Sequence, residues 1–414
     1  MKQPIHHTFG PLALRSQLLL AFTLQFQPWK WKEGNETQEL KEEIARIFPG
    51  QVSTFDTGRG ALLGLLKSLE ISKGDEVILQ GYTCAVVPNA IIAAGGTPVY
   101  VDINPRTLTL DPALVRAAMT RHTRAIICQH TFGIPADTSA LRLICNEKDI
   151  ALIEDCAHVI PDEKSGKIGI YADAILLSFG RDKAISGVSG GAIITSHAMI
   201  AKRLQKMENN AQQRSSWHIL NLIGYPLRYA FAKSIWSLKV SKIYLHALRI
   251  LHLLPPILSK QEKIGEAEHE LFKMPNACAA LALEQLRSLS ALNEQRRKIM
   301  QTYSDAAQKE NWNVPKGIFS SPAPQKFPLL LKNAEAIRQK LKLEQIYLDD
   351  GWCGAVINPR TVDQRNVGYE ANSCPQAEEI SQKILTLPIH PTMTSEQIVT
   401  LLDALEKILH TSNT

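Results

Sequence analysis

An acid, a hydroxyl and an amine that could act together lie close along the chain: Asp155, Ser178 and Lys183. The run Ala151-Leu152-Ile153 reads as a strand and leads into Glu154-Asp155-Cys156-Ala157-His158. A second such run ends in Ser178-Phe179-Gly180-Arg181-Asp182-Lys183, followed by Gly187-Val188-Ser189-Gly190-Gly191. Open α/β sheets bind ligands at the C-terminal ends of their strands, which is where these residues fall. Upstream, Asp56-Thr57-Gly58-Arg59-Gly60-Ala61-Leu62 opens a helix. Glycine there lets a phosphate approach free backbone N–H groups and the positive helix end. Singly, each feature is weak. TGRG is more often a turn, Asp155 could be a strand-end cap, and Lys183 could be a surface lysine. Their order and spacing make the signal.

That set suits pyridoxal 5'-phosphate (PLP). A lysine amine can condense with the aldehyde, a carboxylate can keep the pyridine nitrogen protonated, and a helix end can hold the phosphate. The elements that must position these groups alternate. Strands are expected at Val77–Leu79, Pro98–Val101, Ala125–Cys128, Ala151–Ile153, Ala174–Ser178 and Ala192–Thr195. Helices are expected at Ala61–Leu69, Cys84–Ala94, Pro112–Met119 and Ser139–Lys148. Continuous apolar strands separated by helices predict a mostly parallel sheet covered on both faces. Before this α/β body, Leu40, Ile44 and Ile47 give a helix over about 35–48, ended by Pro49-Gly50. After it come helical runs at Pro275–Asn293 and about 294–308, then a smaller α+β unit ending in a helix, Ser395–Leu409. The expected organisation is an N-terminal arm (1–49) with an apolar segment, a large domain (50–290) and a small C-terminal domain (291–414).

The chain has 414 residues, 45% hydrophobic and 21% charged. Those values exclude disorder, collagen and coiled coil as the main state. Seven cysteines (84, 128, 145, 156, 278, 353, 374) are dispersed with no CxxC, which argues for reduced thiols in the cytoplasm and against a disulfide framework or a metal site.

The charge is uneven. Residues 209–261 hold no Asp or Glu and seven basic residues, so this window is +7 and the remainder of the +6 chain is −1. Confined to one apolar block, this charge does not suit nucleic acid. The block is too interrupted by charge to span a bilayer. Read as one helix over Leu227–Leu254, it places Arg228, Lys239, Lys242, His246 and Arg249 on one face. A basic stripe on an apolar helix reads as a membrane-surface element, here over 217–258, with the competing reading a helix packed on the body or on a second subunit. The apolar run 12–31 could lie beside it. That run contains Arg15 and lacks a small-residue cleavage site, so it does not read as a signal peptide.

These blocks resemble the DegT/DnrJ/StrS family of sugar aminotransferases. The resemblance covers about 35–205 and 265–410. It rests on TGRGAL, GDEVILQGYTCAVVPNAI, GGTPVYVDI, HTFGIPAD, IEDCAH, SFGRDK and CPQAEEISQKILTLPIHPTMTSEQI in that order. It implies the aspartate-aminotransferase fold (fold type I), PLP as cofactor, a homodimer, and transfer of an amino group from an amino acid, glutamate, to a keto-sugar carried on a nucleotide. It also implies roles by position. Lys183 would carry the cofactor and shuttle the proton, Asp155 would hold the pyridine nitrogen, and His158 would sit beside the ring hydroxyl. Ser178, Gly58, Arg59 and Gly60 would hold the phosphate. The family's ring-stacking aromatic is replaced by Cys84, so either Cys84 packs there or Tyr82 takes the role. The usual NYRM segment, whose Asn reaches the partner's phosphate, reads Leu271-Phe272-Lys273-Met274, and Lys273 would serve instead. The usual GEGG reads Val188-Ser189-Gly190-Gly191. Residues 214–260 are in excess of the family's length and read as an insertion. Two other activities fit parts of this pattern: a PLP-dependent sugar dehydratase, in which His replaces the lysine and which Lys183 argues against, and a catalytically idle membrane-bound scaffold.

Overall fold

The computed structural model describes residues 4–6, 14–163, 168–256, 258–266, 268–348 and 351–412. After β1 (Ile5–His6) come α1 (Arg15–Gln25) and α2 (Glu36–Ile47). An α/β body follows: β2 (Gln51–Phe55), α3 (Gly58–Ser68), β3 (Glu76–Gln80), β4 (Thr83–Cys84), α4 (Val86–Ala94) and β5 (Thr97–Val101). It continues through the short antiparallel pair β6 (Ile103–Asn104) and β7 (Thr109–Leu110), then α5 (Pro112–Ala118), β8 (Thr123–Gln129), α6 (Thr138–Lys148), β9 (Ala151–Asp155), β10 (Ala174–Ser178), β11 (Gly191–Thr195) and α7 (Ala198–Asn210).

Seven of these strands form the central sheet in the order β2-β11-β10-β9-β8-β3-β5. β11 runs antiparallel to both its neighbours, and the other pairings are parallel. The strands are buried nearly throughout, as expected for a sheet covered on both faces. Side-chain caps set several helix starts: Thr57 for α3, Asp111 for α5 and Asp137 for α6 each accept an N–H from the first turn. The expected strands and helices of this body are present with small shifts. One shift matters for the site: the helix expected from Cys84 starts at Val86, and Cys84 itself lies in β4, paired with Asn358.

The C-terminal half contains α8 (Ser216–Ser234), α9 (Ser241–Ile250), the single turn α10 (Lys260–Lys263), α11 (Asn276–Leu286) and α12 (Leu289–Lys309). Then come β12 (Lys326–Leu330), α13 (Ala334–Leu343), β13 (Ile346–Tyr347), β14 (Ile357–Asn358), α14 (Pro375–Lys383), β15 (Ile384–Pro388) and α15 (Ser395–Ser412). The expected run 275–293 is therefore two helices, divided at Arg287-Ser288. β12 pairs antiparallel with β15, β13 pairs with β1, and β14 pairs with β4. One core carries Tyr303, Phe327, Leu329, Leu385 and Leu387 of this unit together with Tyr82, Phe132 and Ile134 of the α/β body, so the two units share apolar packing directly beneath the strand ends. The N-terminal segment is distributed between them. α1 and α2 pack into the core around Phe179 and α11, and β1 joins the C-terminal unit.

The single helix expected over Leu227–Leu254 is corrected. α8 stops at Ser234, a 3-10 turn follows at Trp236–Leu238, Lys239 takes a left-handed conformation (φ 61°), and α9 begins at Ser241. A helical register counted through such a break no longer describes one face. Arg228 is also removed from the expected stripe. Its guanidinium turns inward and donates to the carbonyls of Asn221 and Leu253 and to Asn221 Oδ1. α8 begins at the cap Ser215 and lies along α1, which is anchored by the buried Gln17: its Nε2 donates to Ser186 O (2.6 Å), and its Oε1 accepts from Gln285 Nε2 (2.6 Å).

Candidate active site

The C-terminal ends of β9, β10 and β2 deliver Asp155, Ser178 and the Thr57–Gly60 turn to one end of the sheet. Asp155 is buried and pairs in register with Gln129 on one side and Leu176 on the other. The Ala157 N–H donates to its Oδ1 (2.9 Å). Burial pushes the Asp155 carboxyl above its ordinary pKa, while the Ala157 N–H, Lys183 and His130 hold it back. Lys183 is affected in the opposite sense. Burial lowers its proton affinity, Cys84 and Asp155 favour its charge, and a second lysine, Lys326, opposes it. Asp155, Lys183, His158, Cys84 and Lys326 are thus within electrostatic reach of one another.

His158 is buried and accepts the Phe132 N–H at Nδ1 (3.1 Å), which assigns its proton to Nε2. Its ring lies parallel to Phe132 (centroids 5.9 Å) and edge-on to Trp352 (4.8 Å). Burial, with Lys183 and Lys326 adding, drives His158 well below its ordinary pKa, so it is neutral at physiological pH. Phe132 sits at positive φ (57°) in the turn after β8, an uncommon state for an aromatic residue. A hydrogen-bonded set holds that turn. Gln80 Nε2 donates to Thr131 Oγ1 (2.9 Å) and Tyr82 O (2.6 Å), Thr83 Oγ1 to Gln129 Oε1 (2.8 Å), and Gln129 Nε2 to Thr131 Oγ1 (2.9 Å).

The phosphate-type cradle is at the head of α3. The Gly60 N–H is taken by Thr57 Oγ1 and the Ala61 N–H by Thr57 O, leaving the Gly58 and Arg59 amides as the helix's leading donors. Close packing explains the glycines. A Cβ on Gly58 would meet Ser178 Oγ at 2.8 Å, and one on Gly191 would meet Gly58 Cα at 2.5 Å. The structure therefore brings Ser178 against Gly58, and a phosphate oxygen suits that junction of amides and hydroxyl. Arg59 is shared: its guanidinium forms an ion pair with Glu262 of α10 and lies within reach of Cys84 and Asp56. Asp56 is in turn bridged by Arg214 (2.7 Å), which also pairs with Glu268 (2.8 Å). Lys273 belongs to a strap beside this turn. Phe272 O accepts the Asp56 N–H (3.0 Å), and the Lys273 N–H donates to Gln212 O (2.8 Å).

Of the two residues considered for the ring-stacking place, Tyr82 is fully buried, and its hydroxyl donates to Trp352 O. Tyr82 is a core residue, whereas Cys84 is half-buried and within electrostatic reach of Lys183.

Three further groups join the site from distant sequence. Arg296, buried in α12, donates to Ala184 O, directly after Lys183, and to Asn293 Oδ1 (2.7 Å). Burial lowers it to about 10. Trp352 and Lys326 come from the C-terminal unit, with Lys326 Nζ 5.8 Å from the ring centres of both Phe132 and Trp352. The only sequence signal for Lys326 was a charged residue opening an apolar strand.

The family model for DegT/DnrJ/EryC1/StrS aminotransferases matches residues 18–230 and 259–406. The chain belongs to this family. It is a PLP-dependent aminotransferase of fold type I, as the residues implied. Over 413 residues it is 24% identical to the UDP-N-acetyl-3-dehydro-alpha-D-glucosamine 3-aminotransferase of Acidithiobacillus ferrooxidans, covering 97% of this chain and 96% of that one. Over 152 residues it is 38% identical to the L-glutamine:2-deoxy-scyllo-inosose aminotransferase of Streptoalloteichus tenebrarius, 36% of each chain. Among solved structures it is similar to NtdA of Bacillus subtilis with PMP bound, at a TM-score of 0.74 and 21% identity, covering 99% of this chain and 86% of that one. The family match omits 231–258, so the excess segment is narrower than the expected 214–260, and most of α8 belongs to the family fold.

Proposed function

We propose that this aminotransferase moves an amino group from an amino acid of the glutamate type to a keto-sugar carried on a nucleotide, in amino-sugar or surface-polysaccharide synthesis. The observation that carries the reading is the half-buried Lys183 beside the buried Asp155 and His158, adjoining the Gly58–Ser178 junction. It is the donor set PLP requires. Relatives named for a UDP-sugar and for an L-glutamine donor support the substrate classes. When bound, PLP supplies an electron sink that stabilises negative charge at the carbon losing its proton.

The chain's own residues do the rest. Lys183, its proton affinity lowered by burial, would hold the cofactor and would carry the transferred proton at Nζ. The Asp155 carboxylate holds a proton on the ring nitrogen. His158 offers its Nε2–H to the ring hydroxyl. The amides of Gly58 and Arg59, with Ser178, would hold the phosphate, Gly60 giving the turn its close approach while its own N–H caps onto Thr57, and Cys84 would pack where the family has an aromatic ring. Arg296 fixes the loop of the lysine through Ala184 O. The enzyme works as a homodimer in which Lys273 reaches the partner's phosphate. The intact lysine supports the transferase over a dehydratase or an idle scaffold. The test is spectroscopic: purified enzyme with PLP should show a near-visible band that an amino donor bleaches and a keto-sugar nucleotide restores. A protein that binds PLP but gives no such cycle with any donor would reject the reading.

The finer location is the cytoplasm, at the inner face of the membrane. Among the described residues no helix is long and apolar enough to cross a membrane. In the segment outside the family match, Leu238 (68% exposed), Ile243 (70%), Ile250 (64%) and Leu251 (63%) face outward, interleaved with exposed Lys239, Lys242 and Arg249. Leu19 and Phe22 of α1 and Phe26 just after it are exposed. An apolar surface set with cations and lacking acids suits an anionic lipid headgroup layer. Flotation with anionic vesicles tests this.

A further inference from the structure

Behind the candidate site lies a buried carboxylate–imidazole pair that the chemistry above leaves unused. Glu154 and Asp155 are consecutive on β9, so their side chains leave opposite faces of the sheet. Asp155 is within reach of Lys183, whereas Glu154 is 0% exposed and lies against the imidazole of His130, just after β8 and 1% exposed. Every polar group of His130 is engaged. Its N–H donates to Asp155 O (3.2 Å), its carbonyl accepts the Gly133 N–H (3.0 Å), and its Nδ1 accepts the Ala136 N–H (3.1 Å). Nδ1 is therefore unprotonated, and the ring proton is at Nε2, 3.0 Å from Glu154 Oε2. That oxygen also accepts the Gly169 N–H (2.7 Å), so it meets His130 as an acceptor and holds this tautomer.

The turn closed in this way is the one that sets His158. Between His130 and Ala136, Phe132 (φ 57°) and Gly133 (φ 91°) are both left-handed. An aromatic residue keeps that state only where its surroundings over-determine it. From the C-terminal unit, the Gln325 N–H donates to Phe132 O (2.9 Å) and Ser321 Oγ to Gly133 O (2.7 Å). From the sheet side, the His130 ring spans the turn to Ala136. The Phe132 N–H is thereby aimed at His158 Nδ1, and two imidazoles share one turn and one tautomer.

We infer that His130, braced by Glu154, is a positioning residue: it holds the 130–136 turn so that the Phe132 N–H keeps His158 protonated at Nε2, the proton that His158 would offer to the ring hydroxyl. His130 acts through His158. One rigid ring accepts on one edge and donates on the other, which no amide side chain does over the same span. Asn reproduces the acceptor near Nδ1, and Gln reproduces the donor near Nε2.

This rests on the aminotransferase reading above, and the experiment separates the two. In the full chain labelled with 15N at histidine, NMR reads the tautomer of His158 without and with PLP. The bleaching of the near-visible band by L-glutamate or L-glutamine is timed in a single turnover. Wild type and His130→Asn should show His158 protonated at Nε2 alone. His130→Gln should show both tautomers, and its bleaching rate should fall on the order of 10–10²-fold, the scale of a misplaced catalytic group, with the half-saturating donor concentration within about twofold. Glu154→Gln keeps an acceptor for the Gly169 N–H and guards against a His130→Gln protein that does not fold. Its amide can also donate to His130, so His158 should again show both tautomers, with a smaller loss of rate. In a His158→Gln background the loss caused by His130→Gln should disappear, because the two residues act through one bond. A single Nε2 tautomer of His158 in both the His130→Gln and Glu154→Gln proteins, or losses that add in the double variant, would overturn the inference. Absence of the band in wild type with PLP would instead defeat the functional reading, while the His158 tautomer without PLP still tests the turn.

Discussion

Around Asp155 and Lys183 the buried groups are polar and are held by named neighbours, whereas across residues 231–256 large apolar side chains are left outside, interleaved with cations. The first region concentrates the cost of desolvation, and its shifted carboxyl, ammonium and imidazole record that cost. The second concentrates unburied hydrocarbon, which a soluble surface seldom tolerates as a contiguous patch. The two meet at α10. Glu262, at the trailing edge of the inserted segment, pairs with Arg59 of the phosphate turn, while Arg214, just ahead of α8, pairs with Asp56. One region is built for chemistry and the other for contact, and each should respond to substitutions that leave the other untouched.

The sharpest break comes from Lys183→Ala. The near-visible band should vanish and turnover should fall at least about 10³-fold, the scale of a lost acid–base group. Vesicle flotation should be unchanged. Turnover near wild type would remove Lys183 from the mechanism. Asp155→Asn should slow proton removal by about 10²-fold while PLP still binds. The folded pKa of Asp155 lies above its unfolded value, so ionising it costs stability as pH rises through that interval. Asn removes the cost. Without cofactor the variant should therefore match or exceed wild type in Tm at pH 7, while its PLP-loaded form loses rate, a split that calorimetry and single-turnover kinetics can detect together.

On the other region, Lys239, Lys242 and Arg249 changed together to Glu should abolish flotation with anionic vesicles. Each cation near such a surface contributes about 1 kcal/mol, and reversal turns attraction into repulsion. The band and the turnover of a soluble sugar nucleotide should stay within about twofold. If wild type itself stays at the bottom, the exposed segment is a protein interface. The smallest effect is expected at Arg228, which the structure removes from the lipid-facing set. Arg228→Gln should cost about 1–2 kcal/mol of stability, through lost contacts to Asn221 and Leu253, without altering flotation.

The legible half of the site was the half delivered by consecutive strand ends. Asp155, Ser178 and Lys183 follow one another along the chain, and parallel strands separated by helices must present their C-terminal ends together. Gly58, weak by itself because TGRG is more often a turn, was legible through its order with Asp155, Ser178 and Lys183. Lys326, Trp352 and Arg296 were not legible, since each reaches the site through packing between units far apart in sequence, which leaves no local spacing. Tyr82 could be weighed but not placed: a tyrosine two residues from Cys84 looks the same whether it faces a ligand or a core, and only the bond to Trp352 O decides it. The helix over Leu227–Leu254 failed for a different reason. The apolar period runs on through 235–240, but Lys239 turns left-handed there and ends one register before Ser241 starts another.

The pairing of β1 with β13 has a consequence for synthesis. Ile5 and His6 are among the first described residues to leave the ribosome, yet their partners are Ile346 and Tyr347. At about 5–20 residues per second, that strand waits roughly 20–70 s for its partner. During that interval α1, α2 and the seven-stranded sheet can assemble, with the leading segment still unpaired. The N-terminal strand is thus a late closure on a body already formed. A nascent chain truncated before residue 346 should leave Ile5 and His6 open to protease while the sheet is already protected.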